Sequence, residues 1–150
     1  MDRRSGFSLV ELLFVVLVAS IMIGIIVPSF GQLQARRSAQ NARDAFVFLA
    51  NRARAEALQR GRMVRLRLDA ADESAALVVG VADTIAEPLD FQAAYGVSVA
   101  MNGGGDLEIC YLPRGFADPS CPATEQVATF TAGSESVAAT IRVLGQVETN

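Results

Sequence analysis

From Leu12 to Phe30 the chain runs 19 residues without a formal charge, with Glu11 at its leading edge. As a helix rising about 1.5 Å per residue, that run extends roughly 28 Å, close to the hydrocarbon thickness of a bilayer. Mean hydropathy over all 150 residues is +0.33, and the excess is bunched in this run rather than spread through a core. Arg3 and Arg4 precede it, so the positive-inside tendency puts the N-terminus in the cytoplasm and residues 31–150 beyond the inner membrane. Pro28 either bends the helix near the outer interface or marks the end of the span.

A cleaved secretory signal is the rival reading. Ser29-Phe30-Gly31 offers small residues at suitable offsets, and the mature chain would then start near Gln32. Two features oppose it. The apolar run is longer than a signal's apolar region, and Glu11 sits at its cytoplasmic edge. A carboxylate costs roughly 2.5–3.5 kcal/mol at mid-membrane depth and less near the interface. Glu11 therefore either snorkels to the headgroups or meets a cation within the membrane.

Composition removes most enzyme chemistry. There is no His, and all 13 basic residues are Arg, so imidazole bases and imidazole metal ligands are absent. No carboxylate pair has a partner for acid–base work. Asp69-Ala70-Ala71-Asp72-Glu73 lacks the alternating oxygens and mid-loop Gly of a calcium loop and reads as a solvated turn. The reading is of a non-enzymatic chain with no cofactor and no metal. Charge is sharply divided. Arg36 to Arg67 holds nine Arg against Asp44 and Glu56, a net of +7, whereas from Asp69 onward twelve acids face Arg114 and Arg142, a net of -10. Such patterning suits charge-complementary contacts between copies.

Beyond Phe30, Ala35, Ala39, Ala42, Phe46, Leu49, Ala53 and Ala57 recur at steps of four and three, one apolar stripe on an amphipathic helix over 31–60 that Gly61 ends. The period then drops to two. Strands are expected at Met63–Leu68, Ala76–Val81, Gly96–Met101, Leu107–Leu112, Gln126–Thr131 and Ala138–Leu144, with a weaker one at Gln146–Thr149. Asn102-Gly103-Gly104-Gly105-Asp106 reads as a hairpin connection. The fold class is α+β: one long helix from about Phe7 to Arg60, its second half packed on a mostly antiparallel β-sheet head over 62–150.

The opening Gly6-Phe7-Ser8-Leu9-Val10-Glu11-Leu12 resembles the processing motif of type IV pilins and type II secretion pseudopilins. The resemblance implies a cytoplasmic leader over 1–6, cleavage between Gly6 and Phe7 by prepilin peptidase, N-methylation of Phe7, and a transmembrane segment over 7–30. It further implies that Glu11 pairs with the N-terminal ammonium of a neighbouring subunit during assembly. Later motifs narrow it. Arg52-Ala53-Arg54-Ala55-Glu56-Ala57-Leu58, the strand Val64–Leu68, Tyr111-Leu112-Pro113-Arg114-Gly115 and Ile141-Arg142-Val143-Leu144-Gly145-Gln146-Val147 together look like the GspH/FimT family of minor pseudopilins. That family implies a structural subunit of the type II secretion pseudopilus, with a minor type IV pilin as the alternative. The implied partners are other pilin or pseudopilin subunits, prepilin peptidase and inner-membrane lipid.

Cys110 and Cys121 are the only cysteines, and an extracytoplasmic address favours a bond between them over two free thiols. Metal binding by two thiols without His is disfavoured. The Arg-rich stretch raises nucleic-acid binding, which the resemblance assigns to some fimbrial relatives through a basic C-terminal segment. Here that segment, Gly145-Gln146-Val147-Glu148, holds no Arg, so a nucleic-acid partner is not expected.

Overall fold

The computed structural model describes residues 8–79, 83–85, 87–121 and 125–149; within the first helix the side chains of residues 25–29 lie outside the described set. Helix α1 runs Leu9–Arg60. The chain divides into two compact units, Met1–Gln34 and Ala35–Asn150.

The second unit is the head. Ala39, Ala42, Phe46, Ala50, Ala53 and Ala57 of α1 are buried, with Ala35 and Leu49 half-buried beside them. The expected stripe is present, but at the 49/50 step the helix turns Ala50 inward and leaves Leu49 at the margin. The stripe is almost all Ala, so the backbone of α1 can approach the strands closely, and Phe46 alone reaches deep, its ring 5.7 Å from that of Phe130.

Among the described residues nine strands form two antiparallel sheets. The first contains β1 (Val64–Asp69), β2 (Ser74–Val79), β3 (Asp83–Thr84), β4 (Leu89–Asp90) and β6 (Leu107–Tyr111). Its path is β3-β2-β1-β6, and β4 also pairs with β2. The second has the order β5-β7-β8-β9, from Ser98–Met101, Gln126–Ala132, Glu135–Ile141 and Val147–Thr149. Alternation sets the core: Val64, Leu66 and Leu68 of β1 point inward, between Leu77 of β2 and Ile109 of β6.

Several expected boundaries move. Gly96 does not open a strand: it is the left-handed cap (φ 65°) of α2, Phe91–Tyr95, whose N-terminus is capped by Asp90 accepting from the Ala93 amide at 2.8 Å. The strand expected over Ala138–Leu144 is β8, Glu135–Ile141, and it stops at Ile141. Arg142 to Gly145 turn instead, with the Arg142 amide donating to Gln146 and the Gly145 amide to Arg142. The strand expected from Ala76 starts at Ser74, and the remainder of that expectation, Gly80 and Val81, lies outside the described residues.

The hairpin expected at Asn102–Asp106 is a crossover between sheets. Asn102 fastens the end of β5 to β7, its amide donating to Val127 O (3.0 Å) and its Oδ1 accepting from Val127 N (3.1 Å). Gly104 and Gly105, at φ 63° and 83°, then redirect the chain to β6 beside β1.

Candidate functional site

Two regions carry the residues singled out in the sequence. In the N-terminal unit α1 begins after Ser8, whose carbonyl accepts from the Leu12 amide at 3.1 Å. Every described side chain from Leu9 to Gln34 is exposed, and the large apolar ones between Leu9 and Ile23 range from 39% exposed at Val18 to 79% at Leu9. Ser20 returns its hydroxyl to Val16 O at 2.7 Å, inside the helix. A helix apolar around its whole girth requires lipid or other helices about it.

Glu11 lies in the first turn, where a carboxylate faces the positive end of the helix dipole. It has no hydrogen-bond or ion-pair partner among the described residues. Gly6 and Phe7, the expected processing site, lie outside the described residues. Among the described residues no helix is long and apolar enough to cross a membrane; the run Leu12–Phe30 includes the five side chains outside that set.

In the head, the two late motifs meet. Tyr111, at the end of β6 and 1% exposed, donates its hydroxyl to Gly145 O at 2.9 Å. Burial pushes the phenol up to about 12, against a smaller lowering by the nearby Arg54 guanidinium. Gly145 holds φ 77°, and a Cβ there would lie 2.6 Å from the Ala117 Cβ and 2.9 Å from Tyr111 Cε1. Arg142, in the same turn, reaches Glu148 at 2.7 Å and Glu125 at 3.6 Å. Its hydrogen bond to Glu148 raises the guanidinium's affinity for its proton and lowers that of Glu148.

Cys110 and Cys121 form a disulfide with Cα atoms 5.5 Å apart. It ties a return segment along the outer edge of β6. The Cys110 amide donates to Cys121 O at 3.1 Å, the Asp118 amide to Cys110 O at 2.8 Å, and Tyr111 bridges Ala117. The edge of the first sheet is thereby covered. Asp118 is held below the usual carboxylate range, first by the Ser120 hydroxyl and then by the Ser120 amide. Glu108 lies within 4.8 Å of both sulfurs, but these are bonded to each other and leave a single carboxylate, which also stands 3.4 Å from Arg65.

Of the helix arginines, Arg43 pairs with Asp44 (2.8 Å) and Arg60 with Glu56 (2.7 Å). Asp69 does not gather ligands: its Oδ1 accepts from the Ala71 and Asp72 amides and closes the turn.

A long helix with a lone carboxylate in its first turn, its later half seated on antiparallel sheets, is the architecture of type IV pilin-like proteins. Comparison with known proteins agrees. Residues 1–27 match the prokaryotic N-terminal methylation motif. The fold is similar to that of the type IV minor pilin FimU of Pseudomonas aeruginosa PAO1 (15% identity, TM-score 0.58, covering 77% of this chain and 90% of that one). A second crystal form of the same pilin gives 14% identity and a TM-score of 0.54, over 74% and 91%. The minor pseudopilin EpsH of the Vibrio cholerae type 2 secretion system gives 12% identity and 0.55, over 75% and 96%. No curated protein matches the sequence. The chain thus carries a prokaryotic N-terminal methylation motif over residues 1–27 and has the type IV pilin-like fold.

Proposed function

We propose that this chain is a minor pseudopilin, a structural subunit of the type II secretion pseudopilus that assists export across the outer membrane. The observation that carries the reading is Glu11, a carboxylate without a partner among the described residues, in the first turn of a helix whose following side chains from Leu12 to Ile23 are exposed and, Ser20 apart, apolar. Prepilin peptidase cleaves between Gly6 and Phe7 and the new amino terminus is methylated, which places a cation at Phe7. Neither that cation nor Glu11 is stable alone in lipid, so each pairs with its counterpart on an adjoining subunit. Residues 7–30 span the inner membrane, the N-terminus lies in the cytoplasm, and residues 31–150 form the periplasmic head. The protein works by contact with other subunits, needs no cofactor, and does not act as an enzyme.

Glu11→Ala is expected to leave the protein in the membrane fraction but to keep it out of sheared filaments. Normal recruitment of the variant would remove the role of Glu11. A minor type IV pilin is the second reading, supported by the likeness to a minor pilin. Deletion of the gene separates the two, since loss of exported enzymes supports the first and loss of pili or of DNA uptake supports the second.

A further inference from the structure

Three segments distant in sequence bring large apolar side chains together on the head and leave them in water: Leu58 (53% exposed), Phe116 (57%) and Leu144 (60%). They are neighbours. A Cβ on Gly115 would touch the Leu58 side chain at 3.1 Å, Phe116 follows Gly115, and Leu144 O accepts from the Ala117 amide at 3.4 Å.

The supports beneath these side chains are rigid. The Leu112 amide donates to Phe116 O at 2.8 Å, the Gly115 amide donates to Leu112 O at 2.9 Å, and the Cys110–Cys121 bond ties down the segment that follows. Leu144 stands in the turn closed by the Gly145 amide on Arg142 O (2.7 Å), and buried Tyr111 holds Gly145 O. Leu58 lies in the last turn of α1, two residues before Arg60. An isolated head gains nothing from holding wet apolar side chains in fixed places. A docked head does, because little loop freedom is left to lose on contact.

Charge selects what can dock. Arg54, one turn before Leu58, and Arg114 flank the patch, both exposed and without an ion-pair partner among the described residues. Three acids of the adjoining segments are already engaged, Asp118 by Ser120 and both Glu125 and Glu148 by Arg142. The carboxylates that answer Arg54 and Arg114 must therefore come from another molecule. The same face of a second copy is excluded, since it would set these guanidinium groups against their like.

We propose that the Leu58–Phe116–Leu144 face, with Arg54 and Arg114, docks an acidic surface on the head of a different pilin-like subunit. The inference rests on the proposed role as a minor assembly subunit, which is outnumbered by subunits of other sequence. The apolar side chains supply adhesion, and the two arginines select the partner and set its orientation. Such a contact orders two kinds of subunit rather than extending a run of one.

The test replaces the wild-type chain, at full length, in the bacterium that encodes it. Phe116→p-benzoylphenylalanine puts a photoreactive ring in the patch, and Asp72→p-benzoylphenylalanine, on the exposed β1–β2 turn, is the control. Irradiation is expected to give one adduct at Phe116 and not at Asp72, with a different chain that carries an N-methylated prepilin-type amino terminus by peptide mass. Adding Arg54→Glu and Arg114→Glu should lower the yield about tenfold, whereas Lys at both positions should keep it. An intact Cys110–Cys121 bond on nonreducing gels shows that the charge-reversed chain still folds. No adduct, an adduct with this chain itself, with lipid or with nucleic acid, or a yield indifferent to charge reversal would overturn the docking. If Glu11→Ala keeps the chain out of filaments while Phe116 yields no adduct, only the docking falls; normal recruitment of Glu11→Ala removes the role of Glu11 whatever Phe116 reports.

Discussion

At Gly145 three constraints converge on one residue. Its φ of 77° disfavours any side chain, Ala117 and Tyr111 fill the space a Cβ would occupy, and its carbonyl accepts the Tyr111 hydroxyl. Gly145→Ala is therefore expected to lower stability by about 2–4 kcal/mol, read by chemical denaturation, against about 1 kcal/mol for Tyr111→Phe, which loses only the hydrogen bond. Equal effects would refute this ordering. Tyr111 also fixes a pH response. Its phenol titrates near 10 when unfolded and near 12 when folded, so above pH 10 the unfolded chain releases a proton that the folded one retains. Stability is unaffected by this group below pH 10 and falls between pH 10 and 12, by about 2–3 kcal/mol in all. Tyr111→Phe should flatten that decline, as denaturant midpoints at pH 9 and pH 11.5 would show.

Among the elements, the Ala stripe of α1 controls how closely the helix sits on the strands. Ala53 is fully buried, and Ala53→Leu introduces three carbons where no space is left; a loss of about 1–3 kcal/mol is expected, seen as a lowered melting temperature of the head transition. The same change at Ala55, an exposed position of the same helix, should leave that transition nearly unmoved. Helix α1 and strands β1, β6 and β7 were legible because period 3.6 and period 2 are local properties of the chain. Helix α2 had a local signal too, Asp90 and Gly96 bracketing five residues, but a helix so short cannot hold itself together and forms here because Phe91 packs edge-on against Phe130, ring centroids 5.4 Å apart. The stop of β8 at Ile141 was not legible, since Arg142-Val143-Leu144 keeps strand-like chemistry and turns only to bring Gly145 to Tyr111.

For the whole molecule, charge is the organising variable. The linear sequence divides it, with nine Arg between Arg36 and Arg67 and twelve acids from Asp69 onward, and the fold pairs across that division at Arg65 and Glu108. The proposed processing would alter the balance further: loss of residues 1–6 would leave 11 Arg against 15 acids. Intact mass of the membrane-extracted protein is expected to match a chain beginning at Phe7, one methyl group heavier and with its two cysteines joined. An unprocessed amino end, or a soluble head starting near Gln32, would contradict the proposed function at its root.

What the amino-acid order determined unaided is whatever neighbours along the chain can settle: the apolar girth and lone acid of the first helix, its Ala stripe, and the alternating strands. What only the tertiary structure decided is partnership: two sheets in place of one, Asn102–Asp106 crossing between them, Cys121 closing the edge of β6, and Tyr111 finding Gly145. Local periodicity tells a strand which face to bury but not which strand to bury it beside. That choice is made by burial and hydrogen bonding summed over residues far apart in sequence.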